Sequence, residues 1–285
     1  MRDRKMSNQM ADRLIYDVGM HLGEDTNFYL SRGHKVVGVE ANPNLVPRLR
    51  ERFASELASG KVIIIDKAIA RQPGKVLFAL NECSLWGSLD NRFIERNRMG
   101  GKAEQGYIEI DAVSFSSILE QYGVPYYLKV DIEGLDLACV EALQNFTERP
   151  RYVSVETEAT FGPSEIESAY VELDLFVSLG YTSFKYVSQK RLRYLNGTKL
   201  SIEGMPVTYI HADGSSGPFG EETPGAWLNM GQAKKRACQL VTRHNWMGFG
   251  GKYARRSWVR ALRHIGRATG VPIDDWYDLH AKAGS

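Results

Sequence analysis

The chain has 285 residues, 43% of them hydrophobic, and a formal net charge of +2, which suits one α/β domain with an appendage. No stretch approaches the ~20 continuous apolar residues of a membrane span, and the N-terminal residues lead into no apolar signal-peptide segment, so we expect a cytoplasmic protein. Cys83, Cys139 and Cys238 lie far apart with no histidine at metal-ligand spacing, which argues against a disulfide framework and a structural zinc site.

The first motif is a glycine turn between an apolar strand and a helix. Residues 14–18 form the apolar run, Gly19 and Gly23 punctuate the turn, and a second apolar run at 35–39 ends on Glu40. This is the plan of a nucleoside site at the carboxyl ends of parallel strands.

The residues at the start of that helix indicate which nucleoside binds. A dinucleotide site points a helix N-terminus at two phosphates, but Glu24 and Asp25 stand there in this chain and would repel a phosphate. S-adenosylmethionine (SAM) carries a cationic sulfonium, an ammonium group and a ribose whose hydroxyls suit the carboxylate of Glu40. The turn therefore favours SAM over NAD.

The remaining elements predict a doubly wound sheet. Buried parallel strands are expected at 14–18, 36–39, 62–65, 126–130 and 152–155. Helices are expected at 47–58 and 135–143, between the strands. Runs at 182–186 and 206–211 are expected to close the sheet as a hairpin-like pair of strands six and seven. Further strands at 75–80 and 107–112 would form a cap.

A second cluster of charges follows the fourth strand. Lys129, Asp131 and Glu133 lie at alternate positions and so share one side of an extended segment. Ligands of open parallel sheets bind at the carboxyl ends of the strands, so these side chains are expected to face the ligand. Glu156, after the fifth strand, has an equivalent place.

A breaker-rich loop marks the end of the sheet domain. Residues 213–225 contain four glycines and two prolines, which is typical of a boundary or a mobile lid. We predict a sheet domain at 1–212, a loop or lid at 213–232 and a basic, partly helical extension at 233–285.

The order of these motifs resembles that of the FkbM-type SAM-dependent methyltransferases, from about Leu14 to His211. The matching segments are 17–19 with Gly23, 40–43, 66–69 and 128–136, of which the last is the most diagnostic. The resemblance implies a class I methyltransferase with a Rossmann-like sheet of seven mostly parallel strands and helices on both faces. It also implies SAM as cofactor and O-methylation of a hydroxyl on a sugar, polysaccharide or natural product.

Three alternatives to that function remain open. One is N-methylation of a small amine or amino sugar. Another is an NAD(P)-dependent oxidoreductase, and the third is a SAM-binding protein without catalysis.

The resemblance also implies a cofactor site. Gly19 and Gly23 would let the backbone approach the methionine part of SAM, and Glu40 would accept both ribose hydroxyls. Asp66 with Ala68 would border the adenine, and Asp17 would bind the ammonium through water or the loop amides. The predicted cofactor residues are Asp17, Gly19, Met20, His21, Gly23, Asp25, Thr26, Glu40, Ala41, Asn42, Asp66, Lys67, Ala68, Ser84, Ser88 and Asp131.

Methyl transfer to an alcohol needs a proton acceptor, because a protonated alcohol is a poor nucleophile. The predicted catalytic residues are Asp131, Glu133, Lys129 and Glu156. Asp131 or Glu133 would be the base, Glu156 the next candidate, and Lys129 would tune the pair or stabilise a developing alkoxide. His21 and His211 are rival bases. The acidic cluster is compatible with Mg²⁺, but no metal requirement is expected.

The C-terminal region carries a concentration of positive charge. Between residues 234 and 267 there are ten basic residues and no acidic one, which leaves 26 of the 36 basic residues against 34 acidic ones elsewhere. Residues 253–267 predict an amphipathic helix with Trp258, Leu262 and Ile265 on one stripe. That helix could pack on the acidic body, lie on an anionic membrane or hold a phosphate-linked acceptor. A nucleic-acid partner is not expected, since no binding module accompanies the charge.

Overall fold

The computed structural model of the chain describes residues 14–81, 104–132, 134–160, 164–189, 197–200, 206–209, 211, 215–248, 251–269 and 276–284. Its strands are β1 (Leu14–Val18), β2 (Lys35–Val39), β3 (Val62–Ile65), β4 (Ala68–Ile69), β5 (Gly74–Asn81), β6 (Glu104–Val113), β7 (Tyr127–Val130), β8 (Tyr152–Glu156), β9 (Tyr181–Ser188), β10 (Gly197–Leu200), β11 (Pro206–Tyr209) and β12 (Tyr277–Ala283). Its helices are α1 (Glu24–Ser31), α2 (Val46–Arg52), α3 (Ala54–Ala58), α4 (Phe115–Tyr122), α5 (Asp136–Ala142), α6 (Ile166–Ser178), α7 (Met230–Met247) and α8 (Ser257–Thr269).

Seven of the described strands form one sheet in the order β3-β2-β1-β7-β8-β12-β9. β1 pairs in parallel with both β2 and β7, and β2 pairs in parallel with β3. β12 runs antiparallel to β9. The central strands are apolar and buried, as in sheets covered on both faces. The predicted α/β fold with seven mostly parallel strands is confirmed.

The prediction for the seventh strand is wrong. Residues 206–209 do not join the large sheet but pair as β11 with β10 in a separate antiparallel hairpin. The seventh strand is β12, which the sequence placed in the extension. Residues 277–281 are all buried, which is the pattern of a strand inside a sheet covered on both faces, whereas no described residue of β11 is fully buried.

The chain divides into two units. The first comprises residues 1–153 and 196–210, and the second comprises 154–195 and 211–285. The first unit contains β1 to β7 and α1 to α5. The second contains α6 to α8 with β9 and β12.

Within the first unit, β5 and β6 are antiparallel partners and β4 pairs in parallel with β6. The two additional strands predicted at 75–80 and 107–112 are confirmed. The helix predicted at 47–58 is interrupted at Phe53 and forms α2 and α3. The helix predicted at 135–143 is α5.

Within the second unit, the predicted lid is largely anchored. Residues 215–218 are buried, and the Lys185 ammonium donates to the carbonyl oxygens of Gly220 at 3.3 Å and Thr223 at 3.0 Å. The same ammonium lies 4.4 Å from the centre of the Trp227 ring. These contacts argue against a mobile lid over 215–227, because opening would leave the buried Lys185 charge without partners. Residues 212–214 lie outside the described part.

Among the helices of the described residues, none combines the length and the apolar character needed to cross a bilayer.

The position of β12 predicts a stability difference between two leucines. Leu279→Ala should lower the free energy of unfolding by about 2–5 kcal/mol, because Leu279 is 0% exposed and the substitution leaves a cavity. The matched control Leu262→Ala, at a side chain 40% exposed on α8, should change it by about 0.5 kcal/mol or less. Urea denaturation measures both. A dispensable tail would make the two losses equal and small.

Candidate active site

The loop between β1 and α1, residues 19–23, is here called the first loop. It folds tightly against the end of β7. Gly19 has a φ of 89°, and a Cβ at this position would overlap the carbonyl oxygen of Asp131. The backbone N–H groups of Gly19 and Met20 both donate to the carbonyl oxygen of Val39, at 2.9 and 3.0 Å. The loop therefore contacts both neighbouring strands, and only glycine fits its first position.

The rest of the turn is equally close-packed. Gly23 has a φ of 81° and a Cβ there would overlap the ring of Phe53. The Met20 side chain is buried, and a Cβ on Gly38 of β2 would overlap it. Glycines at 19, 23 and 38 thus let a short turn lie directly on the sheet.

A buried ion pair lies beneath this loop. The Lys129 ammonium, on β7, is 3.0 Å from Oδ1 of Asp17 on β1 and 2.8 Å from the carbonyl oxygen of Gly19. Oδ2 of Asp25, in the first turn of α1, is 3.8 Å away. The Thr26 hydroxyl donates to Oδ2 of Asp17 at 2.6 Å. Lys129 is only 3% exposed, so one cation joins β1, β7, α1 and the loop.

The electrostatics keep this lysine charged. Burial alone lowers the pKa of Lys129, but the carboxylates of Asp17, Asp131 and Asp25 outweigh it and raise the pKa well above its ordinary value. The pair is therefore a fixed ammonium and carboxylate rather than two neutral groups.

These contacts show what several predicted site residues do within the fold. Asp17 and Thr26 are fully buried and bonded to each other, and Asp25 is buried beside Lys129, so all three support the loop from behind. Their contact with a cofactor remains a prediction. The Lys129 ammonium already contacts Asp17 and the Gly19 carbonyl, and its role in stabilising an alkoxide remains a prediction. Within the fold, Lys129 positions the loop.

Glu40 is held in place by the backbone. Its Oε2 accepts from the His21 N–H and its Oε1 from the Asn42 N–H, both at 2.8 Å. Burial raises the pKa of Glu40 above its ordinary value, although these two N–H groups lower it. A carboxylate has about four acceptor positions, so both oxygens can accept further bonds from ribose hydroxyls.

His21 owes its place to an unusual backbone conformation. It is a non-glycine residue with positive φ, 53°, which aims its N–H at Glu40. Its Nδ1 lies 3.4 Å from Oε2 of Glu24. Burial raises the pKa of Glu24, but the contacts with His21 and the charge of Arg52 make the net shift a lowering. Glu24 is therefore an anion at the mouth of the loop.

The residues after β2 and β3 are placed as follows. Ala41 is partly exposed, and buried Asn42 accepts from the Asn44 N–H at 3.0 Å in a turn. Asp66 is exposed and lies 3.1 Å from Arg50. Lys67 is partly exposed and Ala68 is buried at the start of β4. Contact of these residues with a nucleoside remains a prediction.

Two carboxylates lie in the loop after β7. Asp131 is partly exposed, and its N–H donates to the carbonyl oxygen of Val18 at 2.9 Å. Asp136 is buried; its Oδ2 accepts from the Gly134 N–H at 3.2 Å, and its Oδ1 has no hydrogen-bond partner among the described residues. Burial and the charge of Asp131 raise the pKa of Asp136 to about 7. Asp136 lies in the segment 128–136 that resembles the family, but it is not among the predicted site residues.

Several candidates cannot be joined to this cluster. Glu133, Ser84 and Ser88 lie outside the described residues. Glu156 ends β8 in the second unit, and His211 is buried in the same unit. Their predicted roles remain predictions.

The accessible charge of the site in the first unit is negative. Glu24, Glu40 and Asp131 are acidic, while the Lys129 ammonium is paired with Asp17 and Arg52 donates to the carbonyl oxygen of Leu22. This donor set fits a nucleoside with hydroxyls and a positive charge, such as SAM, and opposes the phosphates of a dinucleotide. Within the described part, no three His, Cys, Asp or Glu side chains are grouped so that they could hold a metal ion.

Comparisons with known proteins identify similar sequences. The model of a family described as methyltransferase FkbM domain matches residues 17–186. Hexuronic acid methyltransferase AglP of Haloferax volcanii is 25% identical over 166 residues, which are 58% of this chain and 64% of that protein. The chain thus spans slightly less than two thirds of that relative.

Two further matches cover less of the known protein. A probable ribosomal RNA small subunit methyltransferase A of Methanospirillum hungatei JF-1 is 33% identical over 64 residues, which are 22% of this chain and 25% of that protein. The solved structure of methyltransferase FkbM from Methylobacillus flagellatus KT is 14% identical, with 52% of this chain and 33% of that chain covered and a TM-score of 0.34.

The buried ion pair predicts a large effect of removing its cation. Lys129→Met should lower the free energy of unfolding at pH 7 by about 3–5 kcal/mol, because Asp17 is left charged and buried. Protonating Asp17 relieves that cost, so the deficit should shrink as pH falls and grow as pH rises. Denaturant unfolding across pH measures this.

Two further variants complete that test. Asp17→Asn in the Lys129→Met background should recover part of the loss. Lys35→Met, at an exposed lysine of β2, should be nearly neutral. A Lys129→Met loss no larger than that of Lys35→Met would contradict the pair's structural role.

Asp136 predicts a pH dependence of stability. Its raised pKa means that the folded protein keeps a proton that the unfolded chain releases, so stability falls as pH rises from ~4 to about 7. Asp136→Asn should remove this pH dependence. Its size in the unmodified chain is roughly 1.4 kcal/mol of unfolding free energy for each unit by which the pKa is raised. Urea midpoints of the two proteins from pH 4 to 8 measure it, and parallel curves would exclude the shift.

Proposed function

We propose, from the premise that the chain belongs to the FkbM methyltransferase family, that it transfers the methyl group of SAM to a hydroxyl oxygen of a sugar, polysaccharide or natural product. The family implies SAM as the methyl donor. The hydroxyl acceptor is the finer part of the proposal and rests on the chemistry of the first unit.

The binding part of the proposal rests on Glu40 and the first loop. Glu40 is preorganised by two backbone N–H groups and would accept the ribose hydroxyls. Gly19 and Gly23 let the turn pack against the Asp131 carbonyl and the Phe53 ring, and this turn presents the His21 N–H to Glu40. SAM supplies an activated methyl group when bound, while the acidic side chains around the loop favour its positive charge.

The choice of a hydroxyl rests on the difference in exposure between Asp131 and Lys129. Asp131 is partly exposed and its backbone carbonyl lies against Gly19, whereas the Lys129 ammonium is withdrawn into its ion pair. A carboxylate at this place can take the proton of an alcohol, which contributes typically ~10²- to 10⁴-fold to such reactions. Asp131 is thus the proposed base.

The sugar part of the proposal is supported by a relative. The hexuronic acid methyltransferase that matches this chain takes a sugar acid, by its name. A sugar acid offers both hydroxyls and a carboxylate as acceptors. In the first unit the charges of Glu24, Glu40 and Asp131 disfavour a carboxylate as the attacking group, so a hydroxyl of such a sugar suits the site better.

The other candidate functions are distinguished by the same chemistry. N-methylation of an amine needs little help from a base, so it should survive loss of Asp131. Family membership and the acidic helix start disfavour an oxidoreductase.

The deciding experiment separates binding from proton transfer. With labelled SAM and a hexuronate-containing oligosaccharide, Asp131→Asn should lower kcat by about 10²- to 10⁴-fold and leave the calorimetric Kd for SAM nearly unchanged. Glu40→Gln should weaken SAM binding by about 10- to 100-fold, the loss typical of hydrogen bonds to a charged group. The control Glu120→Gln, at an exposed carboxylate on α4, should alter neither.

The product reports which oxygen is methylated. A methyl ether withstands mild alkali, whereas a methyl ester releases methanol. Alkali-labile label, or full turnover of Asp131→Asn, would overturn the hydroxyl proposal.

A further inference from the structure

Helix α8 exposes apolar side chains to solvent. Trp258, Leu262 and Ile265 are 47%, 40% and 57% exposed, and their spacing of four and three residues places them on one helix face. Trp246 of α7 is 54% exposed. Tyr253 links the two tryptophans, with ring centres 5.5 Å from Trp246 and 6.1 Å from Trp258. These four exposed residues are here called the apolar stripe.

The exposure is not that of a detached helix. Val259 of α8 is fully buried, and the guanidinium of Arg263 donates to the carbonyl oxygens of Met247 at 2.6 Å and Gly248 at 3.1 Å. One side of α8 is therefore packed against its own unit while the apolar stripe faces outward.

Positive charge accompanies the stripe. Arg255, Arg256 and Arg260 are exposed, and no acidic residue occurs between 234 and 267. On a helical projection Arg260 lies on the side opposite Leu262, and Arg255 and Arg256 directly precede the helix. Apolar and aromatic residues on one face with arginines on the other are typical of helices that lie in a membrane interface.

The charge discriminates among the surfaces that could cover the stripe. A second copy of the chain, docked through the same face, would bring two clusters of like charge together. A nucleic acid would meet the arginines but would not explain the exposed leucine and isoleucine. An anionic bilayer satisfies both, since its headgroups attract arginines and its interface accepts tryptophan and aliphatic side chains.

We propose that the apolar stripe and the neighbouring arginines dock this chain on the surface of an anionic phospholipid bilayer. The stripe enters the boundary between headgroups and acyl chains, and the arginines contact the headgroups. The helix lies on the membrane and does not cross it. The docking site belongs to the second unit and is independent of the proposed acceptor.

Vesicle co-sedimentation of the full chain tests this inference. Vesicles of phosphatidylcholine with phosphatidylglycerol should bind the protein, vesicles of phosphatidylcholine alone should bind it at least about tenfold less, and added salt should release it. Leu262→Glu and Arg260→Glu should each reduce the partition coefficient by about tenfold or more. Thermal unfolding checks that each variant is folded.

Two matched variants serve as controls. Val171→Glu replaces a 64% exposed apolar residue on α6, and Arg48→Glu reverses an exposed charge on α2; both should bind like the unmodified chain. Absence of binding to anionic vesicles at low salt would overturn the proposal. So would equal losses in the control variants, or a dimer in sedimentation equilibrium that Leu262→Glu converts to monomer.

Discussion

The ion pair between Lys129 and Asp17 is the constraint on which the rest of the site depends. Removing two charges from water is costly unless their geometry is good and their remaining hydrogen bonds are made. Here the ammonium also meets the Gly19 carbonyl, and Thr26 satisfies the second oxygen of Asp17. The first loop must therefore lie over Lys129, and that position brings the His21 N–H to Glu40. A buried electrostatic requirement thus sets the shape of a cofactor loop.

Much of the fold follows from the sequence, because strands buried on both faces are continuous apolar runs. β12 escapes this logic. Asp278, His280 and Lys282 alternate with its apolar residues, so the segment resembles a polar tail, yet Asp278 and His280 are buried in the sheet. The start of α7 is marked in the sequence by a helix cap rather than by a hydrophobic pattern. Asn229 and Gln232 form a capping box at its start, and that spacing is visible in the sequence.

The site is predictable only in part, because the sequence does not show which residues of β1 and β7 lie side by side. Sequence spacing groups Lys129 with Asp131 on its own strand. Pairing of β1 with β7 places Asp17 directly beside Lys129, and the two side chains form the ion pair. No local sequence pattern reveals this neighbour. Glu40 was predictable because it ends a strand next to the glycine turn. A carboxylate at a helix start can face a cofactor or a buried cation equally well, and Asp25 lies beside the Lys129 cation.

A double-mutant cycle on Asp17 and Lys129, read out as the calorimetric affinity for SAM, tests the central claim most directly. If the pair shapes the loop, Asp17→Asn and Lys129→Met each weaken SAM binding. The double variant then loses no more binding free energy than the single variant with the larger loss. The resulting coupling is expected to be about 1 to 3 kcal/mol. Single variants that bind SAM as tightly as the unmodified chain, or losses that simply add, would contradict the account.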